Sequence, residues 1–296
     1  MLVWRVFLLA SLALPALADE TEHLVTLWQV HGANNSVYLL GSVHLLRSDD
    51  YPLPTVLDTA YDDAEVLIME VDMDDIDPLA VQAAFNTYGV LQGDTTLRDL
   101  MGDDLYSQAT AAAELIDIPL EMLNKTEPWY AAMTIEIMML NRIGFDPTLG
   151  IEMYMMAKAA KDGKRIDGLE TIEEQLQFLD GMSLQAQREM LLSTLAESAT
   201  LGAMMDELID AWRHGDIDKL ESGMLNDLAK HEELNKVLVT DRNARWVEQI
   251  EDLLDDDNDY LIIVGALHLV GPHGVPLQLE RNGYDVRQLS ELPSLR

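Results

Sequence analysis

Two histidines in this chain stand in near-identical surroundings. Leu39-Leu40-Gly41-Ser42-Val43-His44-Leu45-Leu46 and Ile263-Val264-Gly265-Ala266-Leu267-His268-Leu269-Val270 both read as an apolar run, a glycine, two residues and a histidine. An apolar run of this length fits a strand buried on both faces, the kind found in parallel sheets. A glycine at its end lets the chain turn sharply. The histidine then falls just past the strand's carboxyl end, where open parallel sheets bind their ligands. A single histidine there more often caps a strand than reacts. A matched pair, far apart in sequence, predicts one shared site. Glu70 is the third candidate. It ends the run Val66-Leu67-Ile68-Met69, and a carboxylate in an apolar strand needs a partner or a cation once buried. Asp72, Asp74, Asp75 and Asp77 after it read as a solvated loop.

Four further residues carry both a structural and a functional reading. Glu152 lies in the first turn of a helix starting after Gly150, where the helix dipole favours an acid. Glu170 sits past Gly168 at the end of a short strand, before Thr171, a helix cap. Asp241 and Arg245 are spaced for a surface ion pair, which leaves Arg242 and Asn243 on other faces of their helix and free to point into a site. His273, in a Gly271-Pro272-His273-Gly274 turn, reads as exposed, near enough to His268 to serve as a reserve ligand.

The elements around these residues follow from periodicity. Leu24–Val30 reads as a strand, paired through a turn at His31–Asn35 with the strand that ends at Gly41. Pro52 and Pro54 open a helix of about a dozen residues. From Pro78 to about Lys164 the pattern is helical, including an apolar helix from Pro128. The methionines at 153, 155 and 156 fit core packing better than a soft-metal surface. Helices resume from Thr171 to about Leu254, Val275–Arg281 is a helix, and Tyr284–Leu289 is a last edge strand. The expected fold is α/β: a duplicated, mostly parallel sheet core carrying the two Gly-x-x-His motifs, with a large helical insertion at roughly 78–254.

Residues 1–18 read as a secretory signal: Arg5, an apolar stretch to Leu14, then Ala16-Leu17-Ala18 as a cleavage site. Its apolar core is short for a membrane span, and no other stretch is long and apolar enough for one. The expected product is therefore periplasmic or secreted, one domain over 19–296. The chain has no cysteine, which excludes disulfides, a thiol nucleophile and zinc–thiolate sites. A net charge of −34 argues against nucleic acid as a partner.

Taken together these motifs resemble the TraB/GumN family, relatives of the Tiki metalloproteases and, more distantly, of erythromycin esterases and ChaN-like haem-binding proteins. The resemblance rests on Tyr38-Leu-Leu-Gly-Ser-Val-His44, Ile68-Met-Glu70-Val-Asp72, Gly150-Ile-Glu152, Gly168-Leu-Glu170-Thr171, Asp241-Arg242-Asn243 and Val264-Gly-Ala-Leu-His268, in that order. It implies that His44, Glu70 and His268 line one cleft, with Arg242 and Asn243 near them. It also implies metal-dependent hydrolysis, by Tiki-type analogy a peptidase using manganese or cobalt. The family often has aspartate where this chain has Glu152.

Two imidazoles and a carboxylate suit a divalent first-row metal, manganese, cobalt or zinc, with open positions. Glu152 or Glu170 is then a candidate base, and Arg242 a candidate partner for an oxyanion or a substrate carboxylate. The substrate is a peptide or another small acyl compound. A metal-free hydrolase, with a histidine as base oriented by Glu70, is the competing enzyme reading. A protein that binds haem, iron or a peptide without turnover is the competing reading of another class.

Overall fold

In the computed structural model, residues 23–72, 77–228 and 230–291 are described; the signal at 1–18 and part of the acid-rich loop after Glu70 lie outside them. Six strands form one mixed sheet: β1 (His23–His31), β2 (Ser36–Ser42), β3 (Val66–Val71), β4 (Arg165–Glu170), β5 (Tyr260–Gly265) and β6 (Asp285–Glu291). Their order is β4-β3-β5-β2-β1-β6. β4, β3, β5 and β2 run parallel, while β1 is antiparallel to both β2 and β6.

The alternation of side chains along the strands buries both faces. Leu40, Leu67 and Ile263 belong to one core, with Phe145, Ile151 and Trp212. Leu39, Ile68 and Ile262 belong to the opposite core, with Trp246, Ile250 and Leu279. The helices between 97 and 195 build a core of their own around Met101, Ile135 and Leu191. β4 leaves this helical stretch to become the edge of the sheet.

The decisive topological feature is the last parallel strand. β5 inserts between β2 and β3, placing the second Gly-x-x-His beside the first and beside Glu70. The two motifs are offset by one residue, because Gly41 pairs with Val264 and Ser42 with Gly265. They also differ locally: Ala266–His268 forms a 3-10 turn, whereas β2 runs on past its glycine to Ser42.

Two local readings change. The helix after the proline pair is shorter than expected, Thr55–Asp63 with Pro54 as its cap residue. Asp77 is a working N-cap, accepting from the Leu79 N–H at 2.9 Å ahead of the helix Pro78–Tyr88.

Candidate active site

The four parallel strands all end on the same side of the sheet, and the residues singled out in the sequence gather there. His44 follows β2, Glu70 is the penultimate residue of β3, Glu170 ends β4 and His268 follows β5. The helix Asp241–Leu254 adds Arg242 and Asn243, and the helix Ile151–Asp162 adds Glu152.

His44 is seated by a close backbone approach. A Cβ on Gly150 would lie 2.1 Å from the His44 carbonyl oxygen, so only glycine fits. The Ile151 N–H donates to the Val43 carbonyl at 3.1 Å. This docking sets the helix's first turn against the histidine, and Glu152 Oε1 lies 2.8 Å from His44 Nδ1. Ser42 Oγ donates to the same carboxylate oxygen. Glu152 is thus more than a dipole-favoured acid. Its carboxyl is held below its usual range, because His44 and Ser42 outweigh the upward push of burial. The Glu152 charge in turn raises His44 to about 9, against an opposing effect of desolvation. The imidazole itself faces the open cleft, with 60% of its side chain exposed.

His268 is held differently. It is 4% exposed and lies against Trp246, ring centroids 4.5 Å apart. Asn243 Nδ2 donates to the carbonyls of His268 at 3.0 Å and His273 at 2.8 Å. The Asn243 Oδ1 is therefore the acceptor 2.6 Å from His268 Nδ1, which must carry the proton. Nε2 is left with its lone pair, and it accepts from Arg242 Nη1 at 3.2 Å. Burial pushes the imidazole down to about 3, so it is neutral at physiological pH. Both histidines are consequently gripped at Nδ1 and present Nε2 to the cleft.

Glu70 lies between them. Its Oε1 accepts the Gly265 N–H at 2.7 Å, and its Oε2 accepts Arg242 Nη2 at 2.6 Å. Burial would raise this carboxyl; the charges of Arg242 and His44 and the Gly265 N–H hold it well below its usual range. Gln175 Nε2 also reaches Glu70 Oε2, at 3.3 Å.

The guanidinium of Arg242 is saturated. Nε and Nη2 meet Glu170, Nη2 also meets Glu70, and Nη1 serves the Leu238 carbonyl and His268. That uses the five donors of the fork. Its plane also lies over Trp246, 4.6 Å from the ring centroid. Glu170 is held by a second arginine: Arg245 Nη2 donates to its Oε1 at 2.8 Å. This corrects the expected surface pair. Arg245 meets only the backbone oxygen of Asp241, while the Asp241 carboxylate takes Lys236. The i,i+4 spacing was right, but the buried carboxylate at the end of β4 is the stronger attractor. His273 is exposed, contributing its carbonyl to Asn243 and no side-chain contact to the cleft.

Sequence reasoning missed the roles of Ser42, Gln175 and Trp246 and gave Arg245 the wrong partner. Ser42 lies inside the first Gly-x-x-His and Trp246 lies one turn after Arg242, so their spacing offered a signal. Gln175 and Arg245 become visible only once β4 is placed.

Candidate metal donors face the bare α-carbon of Gly265. A Cβ there would lie 3.3 Å from Glu70 Oε1, 3.6 Å from His44 Nε2 and 3.7 Å from His268 Cδ2. Two imidazoles and a carboxylate thus converge on a cradle that one methyl group would fill. That donor set fits a divalent first-row ion, and the clamped Nδ1 atoms are the outer-shell contacts such ligands use. As placed, with Arg242 against His268, the described residues hold no ready cluster of three or more ligating side chains.

Two cavities meet at His44 and Glu70. One of about 270 Å³ runs past Met69, Pro147 and Met153. The other, about 450 Å³, also takes in Arg242 and His268 and is bounded in part by apolar side chains of the helices Leu201–Arg213 and Ile217–Leu228.

The TraB/PrgY/gumN family model matches residues 26–288. YbaP of Escherichia coli, an uncharacterized protein, is 23% identical over 83% of this chain and 88% of its own length. An uncharacterized protein of Treponema pallidum is 24% identical over 89% of this chain and 82% of its own length. The metalloprotease TIKI1 of Xenopus tropicalis is 20% identical over 96% of this chain and 68% of its own length. No solved structure matches.

Proposed function

This chain belongs to the TraB/PrgY/gumN family, and we propose that it is a hydrolase of a peptide or another acyl bond, acting at the cleft of His44, Glu70 and His268. One observation carries the reading: side chains from separated segments converge at the carboxyl ends of β2, β3 and β5, around Gly265. The similarity to the metalloprotease TIKI1 supports it from outside.

In this reading His44 Nε2, Glu70 and His268 Nε2 would hold a divalent manganese, cobalt or zinc ion. Such an ion would polarise the substrate carbonyl and acidify the attacking water. The protein's own contribution is orientation and charge. Glu152 fixes the His44 ring and favours its cationic form until a ligand displaces the proton. Asn243 fixes the His268 tautomer. Glu170, itself gripped by Arg245, anchors Arg242 beside Glu70. Turning Nη1 away from His268 would release both that lone pair and a guanidinium donor, and the donor can then meet the oxyanion that forms during acyl transfer. With the signal reading at residues 1–18, the reaction takes place in the periplasm or outside the cell.

A second reading has its own support. Arg242 already neutralises Glu70 and occupies His268 Nε2, leaving His44 and Glu152 as a base with its orienting acid. Metal-free activity of that kind would rise with pH towards about 9, the value to which Glu152 lifts His44.

The experiment is cleavage of a diverse peptide mixture, read by mass spectrometry. It is run with added manganese, cobalt or zinc and again with chelator, beside His44→Ala. Metal-dependent cleavage lost in the variant supports the first reading. Chelator-resistant cleavage lost in the variant supports the second. Intact peptides under every condition contradict both.

A further inference from the structure

The larger cavity beside His44 is lined by apolar side chains and by the charged groups of the cleft, His44, Glu70, Arg242 and His268, which are paired with one another or with Glu152; one further lining acid, Glu136, stands apart from that network. Leu208, Ile209 and Trp212 reach it from the helix Leu201–Arg213, and Leu220 and Met224 from the helix Ile217–Leu228. The first helix is tied to the sheet beneath: Trp212 Nε1 donates to the Gly41 carbonyl at 2.6 Å, and Thr26 Oγ1 donates to the Trp212 carbonyl at 2.7 Å. The wall therefore stands fixed against the strand that delivers His44. The volume, about 450 Å³, falls within the usual range of small-ligand pockets.

Glu136 lies on the helix Pro128–Arg142, one turn before Leu140, and both line the cavity. No cation among the described residues pairs with it; the charge that acts on it is another acid, Glu197. The residue is exposed to solvent, yet the protein packed around its carboxyl partly desolvates it and, with that neighbour, pushes it up. The cations that line the cavity are already committed. Arg242 spends its donors on Glu70, Glu170, Leu238 and His268, and His44 is paired with Glu152. The charge left uncompensated on these walls is negative.

We propose that this cavity is the specificity pocket of the cleft, taking a long apolar side chain that ends in a cation, of the lysine or arginine class, with Glu136 receiving the charged end. The apolar walls bury the methylene stem, as proteins generally bury the stems of such residues. The inference rests on the hydrolase reading for its purpose, but its test does not need turnover.

The test is equilibrium binding by NMR titration, in chelator and at physiological salt, of three probes of equal chain length: hexylammonium, hexanol and hexanoate. Hexylammonium is expected to bind at least about tenfold more tightly than hexanol, with hexanoate weakest; tenfold is about 1.4 kcal/mol. Glu136→Gln, at an exposed position, is expected to erase the preference and leave hexanol binding unchanged. Leu208→Trp, which fills the cavity, is expected to weaken all three probes. Hexanol or hexanoate binding as tightly as hexylammonium would overturn the proposal. So would a cation preference that survives Glu136→Gln, since the chain's overall negative charge alone would then explain it. A chain that binds hexylammonium through Glu136 yet cleaves no peptide keeps the pocket and loses the hydrolase.

Discussion

Glu152 Oε1 stands 2.8 Å from His44 Nδ1, and the opposite nitrogen of the same ring points at Gly265. The carboxylate therefore decides which nitrogen the cleft sees. Replacing it by alanine is expected to leave the fold intact and to weaken metal binding or turnover by about 10–100-fold, the usual cost of losing an outer-shell partner. Isothermal titration with manganese, beside peptide cleavage, checks this. Unchanged affinity and rate in Glu152→Ala would show that the pair merely fastens a loop.

Gly265 offers a sharper substitution. Its backbone lies in an ordinary extended region, φ −51° and ψ 136°, so alanine brings no backbone strain. The added methyl would sit 3.3 Å from Glu70 Oε1, among the three candidate ligands. Gly265→Ala is expected to melt within a few degrees of the parent and to lose metal binding. Full metal binding in a folded Gly265→Ala protein would place the ion elsewhere.

Asn243 is fully buried and serves three groups at once: His268 Nδ1, the His268 carbonyl and the His273 carbonyl. Asn243→Ala leaves them without partners, a cost of about 1–3 kcal/mol for each buried group that water cannot reach. Urea denaturation should show a loss of at least about that size, with the His268 ring resonances broadened or shifted in NMR spectra. A neutral substitution with unchanged ring resonances would contradict the assigned tautomer.

Most of this site was legible because each candidate had a local oddity. Two histidines shared one motif, and Glu70 interrupted an apolar run. The unbroken apolar runs likewise announced strands with both faces buried, and β2, β3 and β5 lie where the pattern put them. What sequence lacked was strand order. Only the insertion of β5 between β2 and β3 explains why segments far apart in sequence meet, and parallel pairing over such separations leaves no local trace. Arg245 shows the same limit. Its i,i+4 spacing to Asp241 was a sound local rule, overridden by a buried carboxylate that arrives from a different strand. Thr171 shows the opposite case, because a capping box is local and the sequence states it in full.

That cap yields a pH prediction. Glu174 accepts the Thr171 N–H at 2.7 Å and its hydroxyl at 2.9 Å, and these bonds hold its carboxyl below the ordinary value of 4.5. A depressed folded pKa contributes stability above the unfolded value, and that stability is lost as pH falls through the folded one. Glu174→Ala should therefore cost about 0.3–1.5 kcal/mol at pH 7, and the difference from the parent should close as the pH falls below 4.5. Urea denaturation at a series of pH values measures it, and an equal cost at all pH values would contradict the assignment. The same helix carries Gln175 to Glu70, so a loosened cap should also reach the cleft.

The central claim is that His44, Glu70 and His268 form one composite metal site. The most direct measurement is metal content by mass spectrometry, after purification without a metal-affinity tag and loading with manganese, cobalt or zinc. His44→Ala, Glu70→Ala and His268→Ala are measured beside the parent. The account predicts one metal per chain in the parent and its loss in each folded variant. A parent that takes up no metal under any loading, or variants that all keep it, would contradict the claim.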